Sequence, residues 1–452
     1  RDDKYVHEFD TVYRKIIDAY EAKQQELISG SVIKCSVCGK MDYPVEDIPH
    51  GMIKRVPSGQ SSGCALISYN ENAFESYGLK GNNNSSICTN CAKTYVEGMN
   101  WLLSSGNQIV VKNKKGKEKK EFRYSNRKNF GSDTAMVFWT RKNEKLDEID
   151  YLESPNPDDV ARLIESVASG TETDSRYLDP DWFYSCTLSG AAARIAVRDW
   201  IETSLFDFRK AIAKWFQDIA IEAYDADLKT TKTHYARLYD LARSCQRKNS
   251  DGSFDKDDTS LARVAAHLWN AAIKNVSLPL WMLTKVLQRS RLDKLDKYAQ
   301  KMTFKERLNK YGVTADRAAL IKIILNRNNK GGGFVVKDKI EHGDRPVAYV
   351  CGQIFAKMES IQYAALKDIN AGIRERYFTY AMTSPASAFG RLFNLNSKHF
   401  TKLKHDKPGL AVNLDKELQK LCKDVDIKNF PATFSLEQQG QFAIGYYHQK
   451  QA

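Results

Sequence analysis

The sequence lacks any long hydrophobic run. No stretch of about 18 apolar residues occurs in it, and no short apolar segment of a secretion signal is present. We therefore expect a protein without a membrane partner. Cysteine is also scarce, with nine residues among 452, whereas secreted disulfide scaffolds are short and rich in cysteine. This usage predicts a reducing compartment, the cytoplasm.

Catalytic signatures are missing as well. The sequence contains no Walker loop, no dinucleotide-binding glycine fingerprint, no serine nucleophile elbow and no zinc-protease histidine pair. The triple glycine at 331–333 is not followed by the Gly-Lys-Ser/Thr of a phosphate loop. The eight histidines are dispersed, and neither His399 nor His405 has the patterned acidic companions of a hydrolytic metal site. We therefore expect a protein that is not an enzyme.

Negative charge is in deficit. Lys and Arg number 69 against 56 Asp and Glu, which gives a formal net charge of +13. An excess of this size favours a polyanionic partner, and nucleic acid suits it better than a membrane surface does. A basic surface that binds no polyanion is the alternative interpretation.

The sequence does contain two Cys-x-x-Cys knuckles, at 35–38 and 88–91. Each knuckle places two thiolates on one tight turn, so the pair offers the four sulfur ligands of a closed structural zinc site. The spacer between the knuckles is longer than in a minimal zinc ribbon, which predicts that zinc staples the base of an insertion. The predicted metal ligands are Cys35, Cys38, Cys88 and Cys91.

The insertion carries a short apolar segment at 64–69, bounded by Gly63 and Asn70, and this pattern predicts a buried strand. Polar side chains lie at its ends. Such side chains hydrogen-bond to base edges or phosphate oxygens, but they are equally typical of turns. The candidate nucleic-acid contacts here are Gln60, Ser61, Ser62, Asn70 and Asn72.

A basic arm occupies residues 112–128. Phe122 and Tyr124 are interleaved with its positive charges, and a cationic arm with aromatic rings suits a phosphate backbone and unstacked bases. A solvated hairpin or loop explains the composition equally well. The candidate contacts in the arm are Lys112, Lys114, Lys115, Lys117, Lys119 and Lys120. The apolar run at 135–139 then predicts a strand.

The predicted fold class is α+β, with a zinc-ribbon-containing N-terminal mixed domain and a mostly α-helical half that ends in a helical bundle. The mixed domain spans 1–145 and contains both knuckles and the basic arm. Prolines, glycines, serines and acidic residues predict a linker at 146–180. A central helical region follows at 181–300, and the bundle spans 301–452.

One long packing helix is predicted at about 191–224 from a continuous apolar stripe that includes Val197, Ile201 and Leu205, with Ser189 as its N-cap. Arg194 and Arg198 lie one turn apart away from that stripe. They either grip phosphates or pair with Asp199 and Glu202, and we favour the pairing slightly.

The bundle shows clear helix-start signals. Pro385 suits the first turn of one helix, and Ser435 with Gln438 forms a capping box for the last. Its polar faces are basic and suit the backbone of single-stranded DNA. The candidate contacts in the bundle are Arg391, Lys398, Lys402 and Lys404.

Four longer phrases point to one family. They are QSSGCALISYNENAFESYG at 60–78, LSGAAARIAVRDW at 188–200, TSPASAFGRL at 383–392 and FPATFSLEQQGQFAIGYYHQ at 430–449. Together they resemble the large subunit of the type I-C CRISPR surveillance complex, Cascade, in whose order they occur. Family members usually extend further at the N-terminus, and not all of them carry both Cys-x-x-Cys pairs.

The resemblance implies a non-catalytic subunit in a prokaryotic cytoplasm. Such a subunit helps to recognise the protospacer-adjacent motif in double-stranded DNA, promotes unwinding and R-loop formation, holds the displaced strand and recruits the helicase-nuclease. The implied partners are the CRISPR RNA, the target DNA, the backbone and 5′-handle-binding subunits, and a small subunit. The bundle resembles that small subunit, which an internal start in the same gene can supply.

A rival interpretation is a stand-alone zinc-ribbon nucleic-acid-binding protein or a zinc-dependent nucleic-acid enzyme. The enzyme would need clustered acids or histidines, which the sequence does not show. A transcription factor would bind a fixed duplex without any guide RNA.

Overall fold

The chain divides into two compact units. The first comprises Arg1–Trp139 and Tyr184–Ile201, and the second comprises Thr140–Phe183 and Glu202–Ala452. The domain ranges inferred from the sequence stay predictions. The computed structural model describes residues 9–26, 32–42, 44–45, 50–112, 118–130, 132–142, 144, 146–169, 181–225, 228–249, 253–255, 260–292, 310–366, 372–426 and 429–452. Within these ranges, no helix has the length and apolarity needed to span a membrane.

Strands dominate the first unit. Its helices are α1 (Asp10–Glu26) and α2 (Thr89–Ser104). Its strands are β1 (Ile33–Lys34), β2 (Met41–Asp42), β3 (Met52–Ile53), β4 (Cys64–Ala65), β5 (Gly106–Lys112), β6 (Glu118–Tyr124), β7 (Arg127–Phe130), β8 (Thr134–Thr140), β9 (Trp182–Ala191) and β10 (Arg194–Ser204), the last three of which extend slightly past the unit's bounds. Six of these strands form one sheet in the order β3-β4-β10-β9-β8-β7, while β1 pairs with β2 and β5 with β6.

Helix α2 and the sheet share a hydrophobic core. Leu102 and Leu103 of the helix are buried in one cluster with Ile53, Val137 and Leu188 of three strands. On α2, apolar residues recur at helical spacing, whereas alternate residues of β8 and β9 point to the same face of the sheet. The strand predicted at 135–139 is confirmed, since β8 covers it.

The long helix predicted at about 191–224 is wrong. Strands β9 and β10 occupy its first part, and α5 (Leu205–Ile219) begins only after Ser204, whose hydroxyl caps it by accepting from the Asp207 N–H at 3.0 Å. The apolar stripe of Val197, Ile201 and Leu205 wrongly indicated a helix, because residues four apart lie on the same face of a strand as well as of a helix. The turn between the strands contains Ala192 at φ 53°, a left-handed conformation that no glycine or asparagine signals in the sequence.

Helices also form where the composition favoured an irregular linker. They are α3 (Asp147–Glu153) and α4 (Pro157–Ser169). Pro157 is the first residue of α4, so this proline begins a helix instead of breaking one. The rest of the predicted linker, 170–180, lies outside the described residues.

Helices dominate the second unit, although β11 (Ile221–Asp225) and β12 (Thr230–His234) form a hairpin within the region predicted to be helical. The further helices are α6 (Leu238–Arg243), α7 (Ser260–Lys274), α8 (Leu280–Leu292), α9 (Ala315–Asn328), α10 (Val347–Ala365), α11 (Ile373–Thr383), α12 (Pro385–Asp406), α13 (Pro408–Cys422) and α14 (Leu436–Gln451). The capping box of Ser435 and Gln438 and the first-turn Pro385 are both confirmed. A mixed α/β fold with a helical C-terminal half is thus confirmed.

Helices α10 and α14 pack with their backbones unusually close. An added Cβ on Gly352 of α10 would lie 2.1 Å from the carbonyl oxygen of Phe442. An added Cβ on Gly445 of α14 would lie 2.0 Å from the carbonyl oxygen of Tyr349. Only glycine fits at either position, so this helix pair is the tightest contact of the bundle that we describe.

Polar groups are also buried between these helices. Glu359 of α10 accepts hydrogen bonds from the Tyr446 hydroxyl at 2.7 Å and from the Lys450 ammonium at 3.0 Å. Burial lowers the pKa of Lys450 to about 8, and the negative charge of Glu359 opposes part of this shift. Nearby, His448 Nδ1 lies 2.7 Å from the Tyr349 hydroxyl. Burial, with a smaller effect from the Lys322 charge, lowers the pKa of His448 to about 3.

Acid is expected to destabilise the protein through His448. Its folded-state pKa of about 3 lies below the ordinary 6.5, so between these values the unfolded chain holds a proton that the folded chain does not. The free energy of unfolding therefore falls as the pH drops from about 6.5, with a slope of at most about 1.4 kcal/mol per pH unit. Urea titrations from pH 4 to pH 7 should show a shallower slope for His448→Gln. The control His405→Gln alters a side chain that is 88% exposed and should keep the wild-type slope.

Candidate metal centre and nucleic-acid surfaces

The four knuckle cysteines converge in the first unit. The sulfur atoms of Cys35, Cys38, Cys88 and Cys91 all lie within 4.8 Å of one another. Cys38 and Cys88, from different knuckles, have their sulfurs 4.0 Å apart. A tetrahedral zinc site with Zn–S bonds of about 2.3 Å needs sulfur separations of about 3.8 Å. The donor set and its spacing therefore fit a tetrahedral metal ion closely.

Local structure fixes each knuckle. The first connects β1 to β2, where Gly39 at φ 73° turns the chain and donates its N–H to the Cys35 carbonyl at 2.9 Å. The second begins α2, because Cys88 is the N-cap whose sulfur accepts from the Cys91 N–H at 3.5 Å. The Cys88 N–H in turn points at the Cys35 sulfur, 3.4 Å away. Peptide hydrogen bonds thus hold both knuckles in the ligand arrangement.

The electrostatics of the cluster differ from one sulfur to the next. Peptide N–H groups of Cys38 and Cys88 lower the pKa of the Cys35 thiol to about 6, so this thiol loses its proton more readily than an ordinary cysteine does. Burial raises the pKa of Cys88 to about 12, and burial also raises that of Cys91. A bound cation would reverse both of these shifts, since a metal ion stabilises the thiolates it binds. The cluster is therefore chemically suited to a metal ion.

A small core ties the knuckles to the rest of the insertion. Val45, Ile87 and Ala92 are buried together, and Ile67 packs against them. The strand predicted at 64–69 is shorter than expected, because β4 ends at Ala65. The residues beyond it leave the sheet, and Ile67 joins this second core.

A polar loop surface forms where the insertion meets the turn between β9 and β10. The Gln60 N–H donates to the Ala192 carbonyl at 3.3 Å, and the Gly63 N–H donates to the Gln60 carbonyl at 3.0 Å, which closes a tight turn. Asn70 accepts a hydrogen bond from the Arg194 guanidinium at 2.7 Å. We define the polar loop surface as Gln60, Ser61, Ser62, Asn70 and Arg194, all of them exposed.

The polar loop surface joins candidates that the sequence analysis kept in separate domains. Arg194 also lies 3.9 Å from Glu71, so it bridges two neighbouring residues of the insertion. Asn72 is exposed and begins a short 3-10 helix beside them. Arg198 is placed differently, because its guanidinium donates to the Ser189 hydroxyl across the two strands at 2.8 Å. The pairing of these arginines with Asp199 and Glu202, which we favoured, stays a prediction.

The basic arm is partly a regular hairpin. β5 and β6 pair antiparallel with Gln108 opposite Phe122 and Val110 opposite Lys120. Lys119 and Lys120 are exposed, and Lys119 forms an ion pair with Glu121 at 3.1 Å. Lys114, Lys115 and Lys117 lie outside the described residues, as does the side chain of Lys112.

Arg127, near the end of the basic arm, binds backbone carbonyl groups of the protein itself. It is 7% exposed, and its guanidinium donates to the carbonyls of Arg55 and Leu103 at 3.0 and 3.1 Å. It also lies 4.6 Å from the centre of the Tyr124 ring. Arg127 therefore binds the chain itself and is not available for phosphate.

The four nucleic-acid contacts predicted in the bundle all lie on α12, but they fall on two different faces of that helix. Arg391, Lys398 and Lys402 are exposed and follow one another at seven- and four-residue spacing, which places them on one face. Lys404 is also exposed but lies on a different face, two residues beyond Lys402. We call the first three the α12 basic face.

Comparison with known proteins identifies the family. No curated protein sequence matches the chain significantly. The model of the CRISPR-associated protein (Cas_Csd1) family matches residues 1–452. The match includes the cysteine cluster, the polar loop surface and the α12 basic face. The protein therefore belongs to the Cas_Csd1 family of CRISPR-associated proteins.

Proposed function

We propose that this protein is the non-catalytic large subunit of a type I-C CRISPR surveillance complex. Membership of a CRISPR-associated family over the whole chain supports this, as do the net charge of +13 and the four phrases described above. The observation that carries the proposal is the polar loop surface. It presents amide, hydroxyl and guanidinium groups together, and these are the groups that bind base edges and phosphates.

In this proposal the metal is zinc and its role is structural. Cys35, Cys38, Cys88 and Cys91 supply all four ligands, which leaves no position for a substrate or a catalytic water. Their sulfurs lie at the base of the insertion that carries Gln60 and Asn70. Zinc would thereby hold the polar loop surface in a defined shape, which selective base contacts require.

Two basic surfaces would supply the positive charge that binds the DNA backbone. Lys119 and Lys120 of the β5–β6 hairpin and the α12 basic face would contact phosphates of any sequence. Recognition of the protospacer-adjacent motif would then rest on the polar loop surface, while pairing to the CRISPR RNA reads the rest of the target. The other partners in this proposal are the backbone, 5′-handle-binding and small subunits and the helicase-nuclease.

The decisive experiment is target-DNA binding by the guide-loaded complex with and without this chain. The duplexes carry an intact or a scrambled adjacent motif, and all measurements share one salt concentration. Under the proposal, both the affinity and the motif preference depend on the chain. A chain that binds or cuts DNA alone, while the complex ignores it, would favour a stand-alone zinc-ribbon protein or a zinc-dependent enzyme instead.

Gln60→Ala tests the polar loop surface directly. If the Gln60 amide contacts a base edge, its loss should cost about 1–3 kcal/mol with the intact motif and much less with the scrambled one. Gln217→Ala removes an exposed glutamine of α5 and should leave both affinities unchanged. Equal losses on both duplexes for Gln60→Ala would argue against a role in motif reading.

A further inference from the structure

Three aromatic side chains meet in the first unit, each from a different strand. Trp139 of β8 stacks on Tyr184 of β9, with ring centres 5.5 Å apart and planes 15° apart. Trp200 of β10 packs edge-on against Trp139 at 5.6 Å and lies 6.3 Å from Tyr184. These strands are consecutive in the sheet. We call the three rings the aromatic platform.

The aromatic platform is partly exposed although its rings are large and apolar. Trp200 is 49% exposed, and Trp139 and Tyr184 are only partly buried. Exposed clusters of large apolar groups usually mark binding sites, because burying them in a complex releases water from their surface. Trp139 also packs against the hydrophobic core that contains Val137 and Leu188, which anchors one ring of the platform. A rigid ring loses little conformational entropy when a ligand stacks on it.

Two arginines of β10 lie near the platform, although Asp199 and Glu202 also flank Trp200. Arg198 lies two residues from Trp200 on the same strand, and Arg194 lies six residues away, within about 20 Å at the usual rise of a strand. Both arginines are exposed. Rings that offer a π-face beside cationic groups are the combination by which proteins bind single-stranded nucleic acid without reading its sequence.

We propose that the aromatic platform stacks an unpaired base of single-stranded DNA, with Trp200 as the ring that contacts it. This inference rests on the proposed function, which places separated DNA strands at this protein. It adds a site that depends on the face of a base and not on its edge. The site therefore accepts any base, in contrast to the polar loop surface. Sequence patterns did not predict this site, because the helix expected at about 191–224 placed Trp200 apart from Tyr184 and Trp139.

The test measures binding of the full-length chain to a fluorescently labelled short oligothymidylate by anisotropy at fixed salt. Trp200→Leu, which keeps an apolar side chain but removes the ring, should weaken binding about 5- to 150-fold, corresponding to about 1–3 kcal/mol per stacked base. Trp200→Phe keeps a ring and should retain most of the affinity. Trp101→Leu is the matched control, because Trp101 is 57% exposed on α2 outside the platform.

An abasic oligonucleotide of equal length separates stacking from charge. It offers the same phosphates without bases, so the wild type and Trp200→Leu should bind it equally weakly. The salt dependence of oligothymidylate binding should be the same for both proteins, since the phosphate contacts are intact. Circular dichroism and thermal unfolding of each variant show whether the fold is retained.

Several results would overturn the inference. Wild-type affinity in Trp200→Leu, with weaker binding when Lys119 and Lys120 are neutralised, would refute the platform but leave the proposed function standing. The same measurement with oligouridylate tests the assignment to DNA, which a Trp200→Leu loss seen with oligouridylate but not with oligothymidylate would refute. No oligothymidylate binding by the wild type would refute the platform as well. Conversely, Trp200-dependent binding by a chain that the guide-loaded complex ignores would support the platform and refute the proposed function.

Discussion

Cys88→Ser is expected to release the zinc ion that the proposed function places in the cysteine cluster, and to unfold the insertion between the knuckles. Serine is a good N-cap, so α2 should still begin at the same place, and the loss should report on the metal alone. Structural zinc contributes about 10–16 kcal/mol in small zinc-binding peptides. Even part of that would place the variant among the most destabilising single substitutions, at about 4–5 kcal/mol.

Elemental analysis and limited proteolysis together test this expectation. The wild type should hold one zinc per chain and resist cleavage between 51 and 87, whereas Cys88→Ser should hold none and be cut there. Cys64→Ser is the matched control, because Cys64 is buried in the same unit and donates its S–H to the Ala192 carbonyl at 3.2 Å. Serine can keep that hydrogen bond, so the metal should stay. One zinc per chain in Cys88→Ser would contradict the ligand assignment.

Gly352→Ala should destabilise the second unit by about 3 kcal/mol or more. Overpacking of a core costs about 1–3 kcal/mol where side chains can shift. Here the new methyl group would meet the Phe442 carbonyl oxygen at 2.1 Å and the Tyr446 nitrogen at 2.7 Å, both of them backbone atoms. Neither atom can rotate away, so α10 and α14 would have to separate along their shared core. Urea unfolding followed by circular dichroism measures the loss.

Gly390→Ala is the control for this substitution. Gly390 lies inside α12, and apart from its chain neighbours and the backbone of its own helix, no described atom comes within 4 Å of a Cβ placed there. Alanine should therefore stabilise the helix by about 0.5–1 kcal/mol through its lower conformational entropy when unfolded. Equal stability for Gly352→Ala and Gly390→Ala would show that the two helices are less tightly packed than the structure indicates.

Local sequence signals predicted local structure well. The spacing of Cys35 and Cys38 predicted one knuckle correctly, and the capping box of Ser435 and Gln438 predicted the start of α14. In both cases the two partners lie only three residues apart in the chain. The apolar run of β8 was equally clear. Such features depend on neighbours in the chain, so no knowledge of the tertiary fold is needed.

Features that depend on distant residues escaped prediction. Asn70 meets Arg194 only because β4 and β10 are adjacent in the sheet, and their pairing is a single parallel register at Ala65 and Arg194. No periodicity within either segment signals that contact. The buried role of Arg127 is similar, because its partners come from the backbone of Arg55 and Leu103. A positive charge in a basic run gives no sign that it is enclosed.

The order of strands in the large sheet has a consequence for synthesis on the ribosome. β9 and β10 lie between β4 and β8 in the sheet, yet they are made more than 40 residues after β8. At translation rates of about 5–20 residues per second, one edge of β4 and one edge of β8 stay unpaired for several seconds, until β10 and β9 have been made. Nascent chains of this protein should therefore depend on chaperones until β10 has left the exit tunnel, because unpaired edges invite aggregation.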